Sequence, residues 1–355
     1  MSGALIVKGD LDAIPGVAGL TEQVMLVQYV EYTVAANNPV ATIDANNFYN
    51  FEPTNTQLSI NGQLNPVIAM QYGEIQRWRV VNTTAEQFFY LNLVPNTTGG
   101  ATPLLYAIAT DGIALTNSSH MTVPYRLGVP AQIPANFADA VMNEIAVLAP
   151  GQRLDLLVRM PPATGASPPP LSCALQAVQY PAATGAGASQ TIATVRIAGA
   201  KNVPDQMPAA SAFDAGALFR PPIAVPSVLP APTQNVVFTF TPNSTVNGKQ
   251  FAAPPPAQIG LKLNDFDVWS VTGFFAPHAF HIHINSFLMS KRFDISILPA
   301  AIWRDTARID VSTASSPLPA EFVSQQLDYT GDFVLHCHVL QHEDTGMMLS
   351  VAITS

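Results

Sequence analysis

Charge, cysteine and histidine are all scarce in this chain. Only 11% of its 355 residues are charged, two are cysteine and seven are histidine. Fifteen basic residues against twenty-four acidic ones leave a net charge of −9 at pH 7. That balance excludes the basic footprint expected of a nucleic-acid or anionic-membrane partner. No apolar run approaches the roughly 20 residues that span a bilayer. The opening MSGALIVKGDLDAIPG lacks the basic start and the longer apolar stretch of a signal peptide. An apolar content of 48% argues against disorder, and the length suffices for two domains, each with its own core.

What is present reads as strand. ALIVKG, QVMLVQYVEYTV, QLSING, QRWRVVN, FFYLNLV, RLDLLVRM, NVVFTFT, FHIHINSF and FVLHCHVL are short and rich in Val, Ile, Leu and aromatics. Gly, Pro, Asn and Thr separate them. No long stretch keeps a helical apolar period, so the chain reads as all-β sandwiches. PAASAFDAGALFR is the one short helix expected. Residues 201–235 carry prolines at 204, 208, 221, 222, 226, 230 and 232, which suits a stiff crossover. One domain is therefore expected over 1–200 and another over 236–355. Four N-x-S/T sequons, at Asn82, Asn96, Asn117 and Asn243, would accept glycans in a secreting eukaryotic host.

An internal repeat supports the division. EIQRWRVVNTTAEQFFYLNLV (74–94) aligns without a gap on DFDVWSVTGFFAPHAFHIHIN (265–285). Trp78 meets Trp269, Val80 meets Val271, Phe89 meets Phe280 and Leu91 meets Ile282. Gln87, Tyr90 and Asn92 meet His278, His281 and His283. Only the second domain thus kept or gained histidines, and the first is expected to be a spacer or structural partner rather than a metal domain.

Six of the seven histidines fall in two motifs, HAFHIH (278–283) and HCHVLQHEDTGMM (336–348). Alternate side chains of a strand point to opposite faces. His336 and His338 therefore face one way and Cys337 the other; likewise His281 and His283 share a face, with Ile282 opposite. His278 precedes that strand and is expected to turn toward a different point. One site then collects Cys337, His342, His278 and Met347, with Gly346 permitting a turn. A thiolate, two imidazoles and a weak thioether match a blue-copper centre. The other collects His281, His283, His336 and His338, an all-imidazole set suited to copper that handles oxygen. Zinc also accepts Cys and His, but its structural knuckles favour CxxC, which is absent. Satisfied core histidines are the plain alternative. His120, in TNSSHMTV, reads as a loop residue, and Cys173 as a small buried hydrophobe.

These motifs resemble the two C-terminal copper motifs of the multicopper oxidases, with the HEDTGMM ending similar to the bacterial laccase-like and cuprous-oxidase-like branch. GALIVKGD, INGQLNPVIAMQYGEIQRWRVVN and PGQRLDLLV also resemble that family's middle domain. The resemblance implies two cupredoxin-like Greek-key sandwiches and copper as cofactor. It implies His278, Cys337, His342 and Met347 as type 1 ligands, His281 as a type 2 ligand, and His283, His336 and His338 as type 3 ligands. Ala279 stands where the family usually has proline. Cys337, His336 and His338 would carry electrons between the sites. Small phenols or aryl amines and molecular oxygen are the implied reactants, with no nucleic acid and no membrane, and the likeness points to an exported protein. Glu343 and Asp344 are read as groups that orient a substrate proton, or as solvated carboxylates. The ten methionines are scattered apart from Met347 and Met348, so the thioether tracts suited to Cu(I) are missing.

The family's trinuclear cluster takes as many histidines again, from two further His-x-His motifs of an N-terminal domain. The sequence reads as domains two and three without that domain. Three outcomes follow: a piece of a three-domain enzyme, a short form completed by a partner chain or a second copy, or a type 1 electron carrier that does not reduce oxygen.

Overall fold

The computed structural model describes residues 3–33, 42–43, 56–97, 100–117, 121–127, 145–165, 167–180, 189–214, 230–240, 243–251, 257–292, 302–315 and 317–355. They form two compact units. The first is Met1–Ala114, Val123–Leu148 and Gln152–Leu218; the second is Leu115–Thr122, Ala149–Gly151 and Phe219–Ser355. Each contains two sheets, and the only helices among the described residues are very short. The chain is all-β, as its sequence indicates. No helix among the described residues is long and apolar enough to cross a membrane.

In the first unit the principal strands are β1 (Thr21–Thr33), β2 (Val67–Tyr72), β3 (Ile75–Asn82), β4 (Phe89–Pro95), β5 (Leu104–Thr110), β6 (Arg153–Arg159), β7 (Leu171–Gln179) and β8 (Ser189–Ala200). β1, β3, β6 and β5 are consecutive in one sheet, and β2, β8, β7 and β4 in the other. The second unit is built from β9 (Gln234–Thr239), β10 (Ile259–Lys262), β11 (Phe266–Phe274), β12 (His278–Ile282), β13 (Phe287–Arg292), β14 (Thr306–Ile309), β15 (Ala320–Gln325), β16 (Gly331–Cys337) and β17 (Met348–Thr354). Its sheets run β9-β11-β15-β13 and β10-β17-β16-β12-β14, with shorter strands at the first sheet's edges.

The repeat is visible in the pairing. Trp78 lies on a strand with a parallel neighbour (β1) and an antiparallel one (β6), where it faces Gln23 and Leu156. Trp269 repeats this on β11, between parallel β9 and antiparallel β15, facing Gln234 and Phe322. Both indoles are fully buried, and each N–H reaches an oxygen, Gln76 Oε1 at 3.1 Å and Ser324 Oγ at 2.8 Å. Apolar rings fill the second core: Phe280 packs against Phe238, Trp269, Phe287 and Phe322, with centroids 5.0–6.2 Å apart. Burying each such ring contributes about 1.5–3 kcal/mol.

Three sequence expectations are corrected here. ALIVKG is not a strand: Leu5 and Val7 are exposed, and a single turn of helix, α1 (Asp10–Ala13), follows. Its Asp12 meets Arg77 and Arg79, whose guanidiniums also reach Asp155 and Glu22. The charges on the outer face of β3 are thereby covered and paired. The second correction concerns the proline-rich stretch, of which residues 201–214 lie on the first unit. Asp205 accepts the Ile75 N–H and pairs with Lys201, and the expected short helix is a 3-10 turn, Ala210–Phe213, with Phe213 buried. The third is the Asn82 sequon. That side chain is buried, and its amide donates to the carbonyls of Gln87 and Leu148, which leaves no room for a glycan.

Phe280→Ala removes the ring on which the second core converges. A loss of about 3–5 kcal/mol is expected for a cavity of that size, read as a lower urea midpoint; an unchanged midpoint would show that the core closes without it.

Candidate metal centre

β12 and β16 pair antiparallel, with Phe280 opposite Cys337, His281 opposite His336 and Ile282 opposite Leu335. Because strand side chains alternate, this register sorts the candidates that the two strands carry. Cys337, Leu335, Phe280 and Ile282 point into the core and are buried to within 1%. His281 and His336 lie together on the opposite face. His278 does not precede the strand, as the sequence suggested; it is the first residue of β12. Its parity with Phe280 and Ile282 delivers it to the cysteine face without any turn.

On that face three donors converge. His278 Nδ1 lies 3.1 Å from His342 Nδ1, and Cys337 Sγ is 3.8 and 3.6 Å from the two nitrogens. His278 Nε2 sits 3.3 Å from the Phe274 carbonyl. A carbonyl only accepts, so Nε2 carries the hydrogen and Nδ1 turns its lone pair toward the cluster. His342 comes from a one-turn helix, α2 (Leu340–Asp344), and its ring stacks near Phe240 at 4.2 Å. Met347 is buried beside them, its N–H bonded to the His342 carbonyl and its own carbonyl to the Cys337 N–H. Gly346 makes the turn between with φ of 107°. Burial sets the electrostatics. It holds the His278 and His342 imidazoles down to about 4 and about 3, with the His278 ring adding to the effect on His342, and pushes the Cys337 thiol up to about 12.

Four imidazoles gather on the other face. Ring centroids are 5.3 Å apart for His281 and His336, 5.0 Å for His281 and His283, and 4.8 Å from His338 to both His281 and His336. His283 and His338 stand one residue beyond their strands, yet both rings stay with the pair inside. The His338 N–H is fixed on the Ala279 carbonyl at 2.7 Å, and the His283 N–H on that of Val334 at 3.0 Å. His281 Nδ1 donates to the Asp305 carbonyl at 2.6 Å, leaving Nε2 bare. Burial is the main cause that lowers the His281 pKa, to about 4, and it also depresses His283.

Residues 226–355 match the sequence profile of the family described as Multicopper oxidase. Over this C-terminal part the chain is similar to that family. A curated relative, the multicopper oxidase mco of Staphylococcus haemolyticus, is 28% identical over 131 residues, which is 32% of this chain and 25% of that protein. The match therefore spans a quarter of that relative's length. Among solved structures, a multicopper oxidase from Campylobacter jejuni, described as a metallo-oxidase, has a TM-score of 0.63 at 18% identity. It aligns with 96% of this chain and 65% of its own. The McoA multicopper oxidase of Aquifex aeolicus has a TM-score of 0.68 at 16% identity, over 95% of this chain and 66% of that one. Both share the cupredoxin-like sandwich fold.

Copper is the metal a multicopper oxidase implies, and the donors suit it. A point equidistant from the three converging atoms lies about 2 Å from each, the length of a bond from a transition metal to nitrogen or sulfur. Two imidazoles and one thiol in such a triangle form a donor set typical of blue copper. The groups His278–Cys337–His342 and His281–His283–His336 each place one ligand atom per residue within 4.8 Å of the others, as do His336, His338 and Glu343. Sequence reasoning missed the carbonyls of Phe274 and Asp305 that fix two tautomers, because backbone acceptors carry no sequence signal. It also did not foresee the neighbour of Glu343. Successive helix residues are turned by about 100°, so while His342 faces the cysteine, Glu343 reaches His336, with Oε2 3.3 Å from Nδ1. Asp344 is exposed, and His120 lies outside the described residues.

A buried neutral histidine costs stability once the unfolded chain can take up protons. His278 titrates at about 4 when folded against 6.5 otherwise. Its contribution is complete above pH 6.5 and is lost as pH falls toward 4, on the order of 3 kcal/mol for such a shift. The metal-free protein should accordingly show a urea midpoint that falls between pH 7.5 and 4.5, and His278→Asn should flatten that slope. Equal slopes in both proteins would contradict the burial effect.

Proposed function

We propose that this chain is the electron-collecting part of a laccase-like oxidase. On this reading phenols or aryl amines give up single electrons at a type 1 site formed by His278, Cys337, His342 and Met347. The chain also gives His281, His283, His336 and His338 to a type 2/type 3 centre at which oxygen becomes water. The observation that carries the reading is adjacency: Cys337 belongs to one donor set, and its two chain neighbours belong to the other. Copper, when bound, would supply the one-electron redox chemistry of both sets.

The chain's own residues do the rest. The Cys337 side chain and the flanking peptides connect Sγ covalently to the imidazoles of His336 and His338. Core packing around His278, Phe280 and Cys337 excludes water from the first set, while Phe240 lies against the His342 ring. Hydrogen bonds to the carbonyls of Phe274 and Asp305 orient His278 and His281. Glu343 Oε2 lies 3.3 Å from His336 Nδ1 and so stands beside the oxygen-side imidazoles.

The histidine count favours a second reading, an electron carrier in which only the first set works. Four imidazoles are half of what the family's oxygen-reducing cluster takes, so the oxidase needs another domain, a partner chain or a second copy of this one to bring the remainder. Either protein would act outside the cytoplasm.

Copper per chain after full loading separates the two. A value clearly above about two, together with oxygen uptake on adding a phenol, is the expected result. A value near one without oxygen uptake would leave the carrier. Cys337→Ser should abolish both the blue absorption and the oxidation of phenol; colour that survives it would overturn the type 1 assignment.

A further inference from the structure

Among the described residues, two glycines stand against the donor sets, one each. Gly273 lies inside β11, opposite Phe238 on parallel β9. A Cβ there would stand 2.5 Å from His278 Cδ2, 3.4 Å from its Nε2 and 3.1 Å from Ile309 Cγ2. Gly151 groups with the second unit and has φ of 82°. A Cβ on it would stand 2.8, 3.0 and 3.1 Å from His338 Cδ2, Cγ and Nε2. Real side chains do not approach so closely, and a glycine inside a strand marks a place where another group comes near the backbone.

Neither ring can give way within its set. His278 is closed in by Phe238 at 5.3 Å and by its bond to the Phe274 carbonyl, with its other nitrogen at the cluster. His338 is tethered through its N–H to Ala279, and its ring lies 4.8 Å from both His281 and His336.

We propose that Gly273 and Gly151 are positioning residues, each leaving the space in which one ligand histidine is seated: Gly273 for His278 and Gly151 for His338. Alanine at either place pushes one ring out of its donor set and leaves the other set intact. The copper-loading part of the test rests on the function proposed above; the ring geometry does not.

The test compares Gly273→Ala, Gly151→Ala and a control, Gly248→Ala. Gly248 has φ of 74° and nothing within 4 Å of an added Cβ, so it reports left-handed strain without a clash. Histidine ring 15N–1H correlation spectra of the metal-free protein should show His278 and His342 moving in Gly273→Ala. In Gly151→Ala the signals of His338, His281 and His336 should move, and in the control none. On copper loading, Gly273→Ala should lose the blue band and bind at the first set at least about 10-fold more weakly. Gly151→Ala should keep the band and lose affinity at the second set by a similar factor. If a variant folds poorly, the urea midpoint gives the same information by a double-mutant cycle. Gly151→Ala should cost much less stability in a His338→Ala background, and Gly273→Ala much less in a His278→Ala background. Ring signals that do not move, both sets disturbed alike, or no relief on truncating the histidine would overturn the inference. Should the wild-type protein bind no copper, the functional reading fails, while the spectra and the cycle still decide this one.

Discussion

Everything at the centre of this molecule depends on the period of two in a β-strand. Opposite Phe280, Cys337 must point into the core; one residue away on each side, the histidines must point out. A slip of one residue in the β12–β16 register would put the thiol among the imidazoles and the aromatic core in solvent. The apolar packing of Phe280 against Trp269, Phe287 and Phe322 therefore does more than stabilise. It is what fixes which donor side chains come together.

The duplication shows the same frame without the chemistry. Trp78 and Trp269 occupy equivalent strands with the same parallel and antiparallel neighbours, and both units close a buried core around them. Where the second unit carries His278, His281 and His283, the first has Gln87, Tyr90 and Asn92. The fold thus provides the positions, and only the residue types decide whether they carry donor groups.

Much of this was legible beforehand, because alternation is a local property. His336-Cys337-His338 and His281-Ile282-His283 declare two opposed faces from spacing alone, and short β-branched runs bounded by Gly, Pro and Asn declare an all-β chain. What failed depended on contacts between distant segments. Nothing in ALIVKG says that no strand will accept it, and nothing in HAFHIH says that the strand already includes His278. Glu343 could not be assigned to His336 until a single helical turn had been placed after Cys337. Gly151, in a Pro-Gly pair, looks like any turn glycine; only the approach of His338, almost two hundred residues later, gives it a role.

Both cysteines are free and buried, and burial holds each thiol in its protonated form. The exposed thiolate, not the sequestered thiol, is the nucleophile that attacks oxidants and disulfides. Once folded, the chain therefore keeps both sulfurs out of reach of the chemistry that makes scrambled bridges or sulfenic acid.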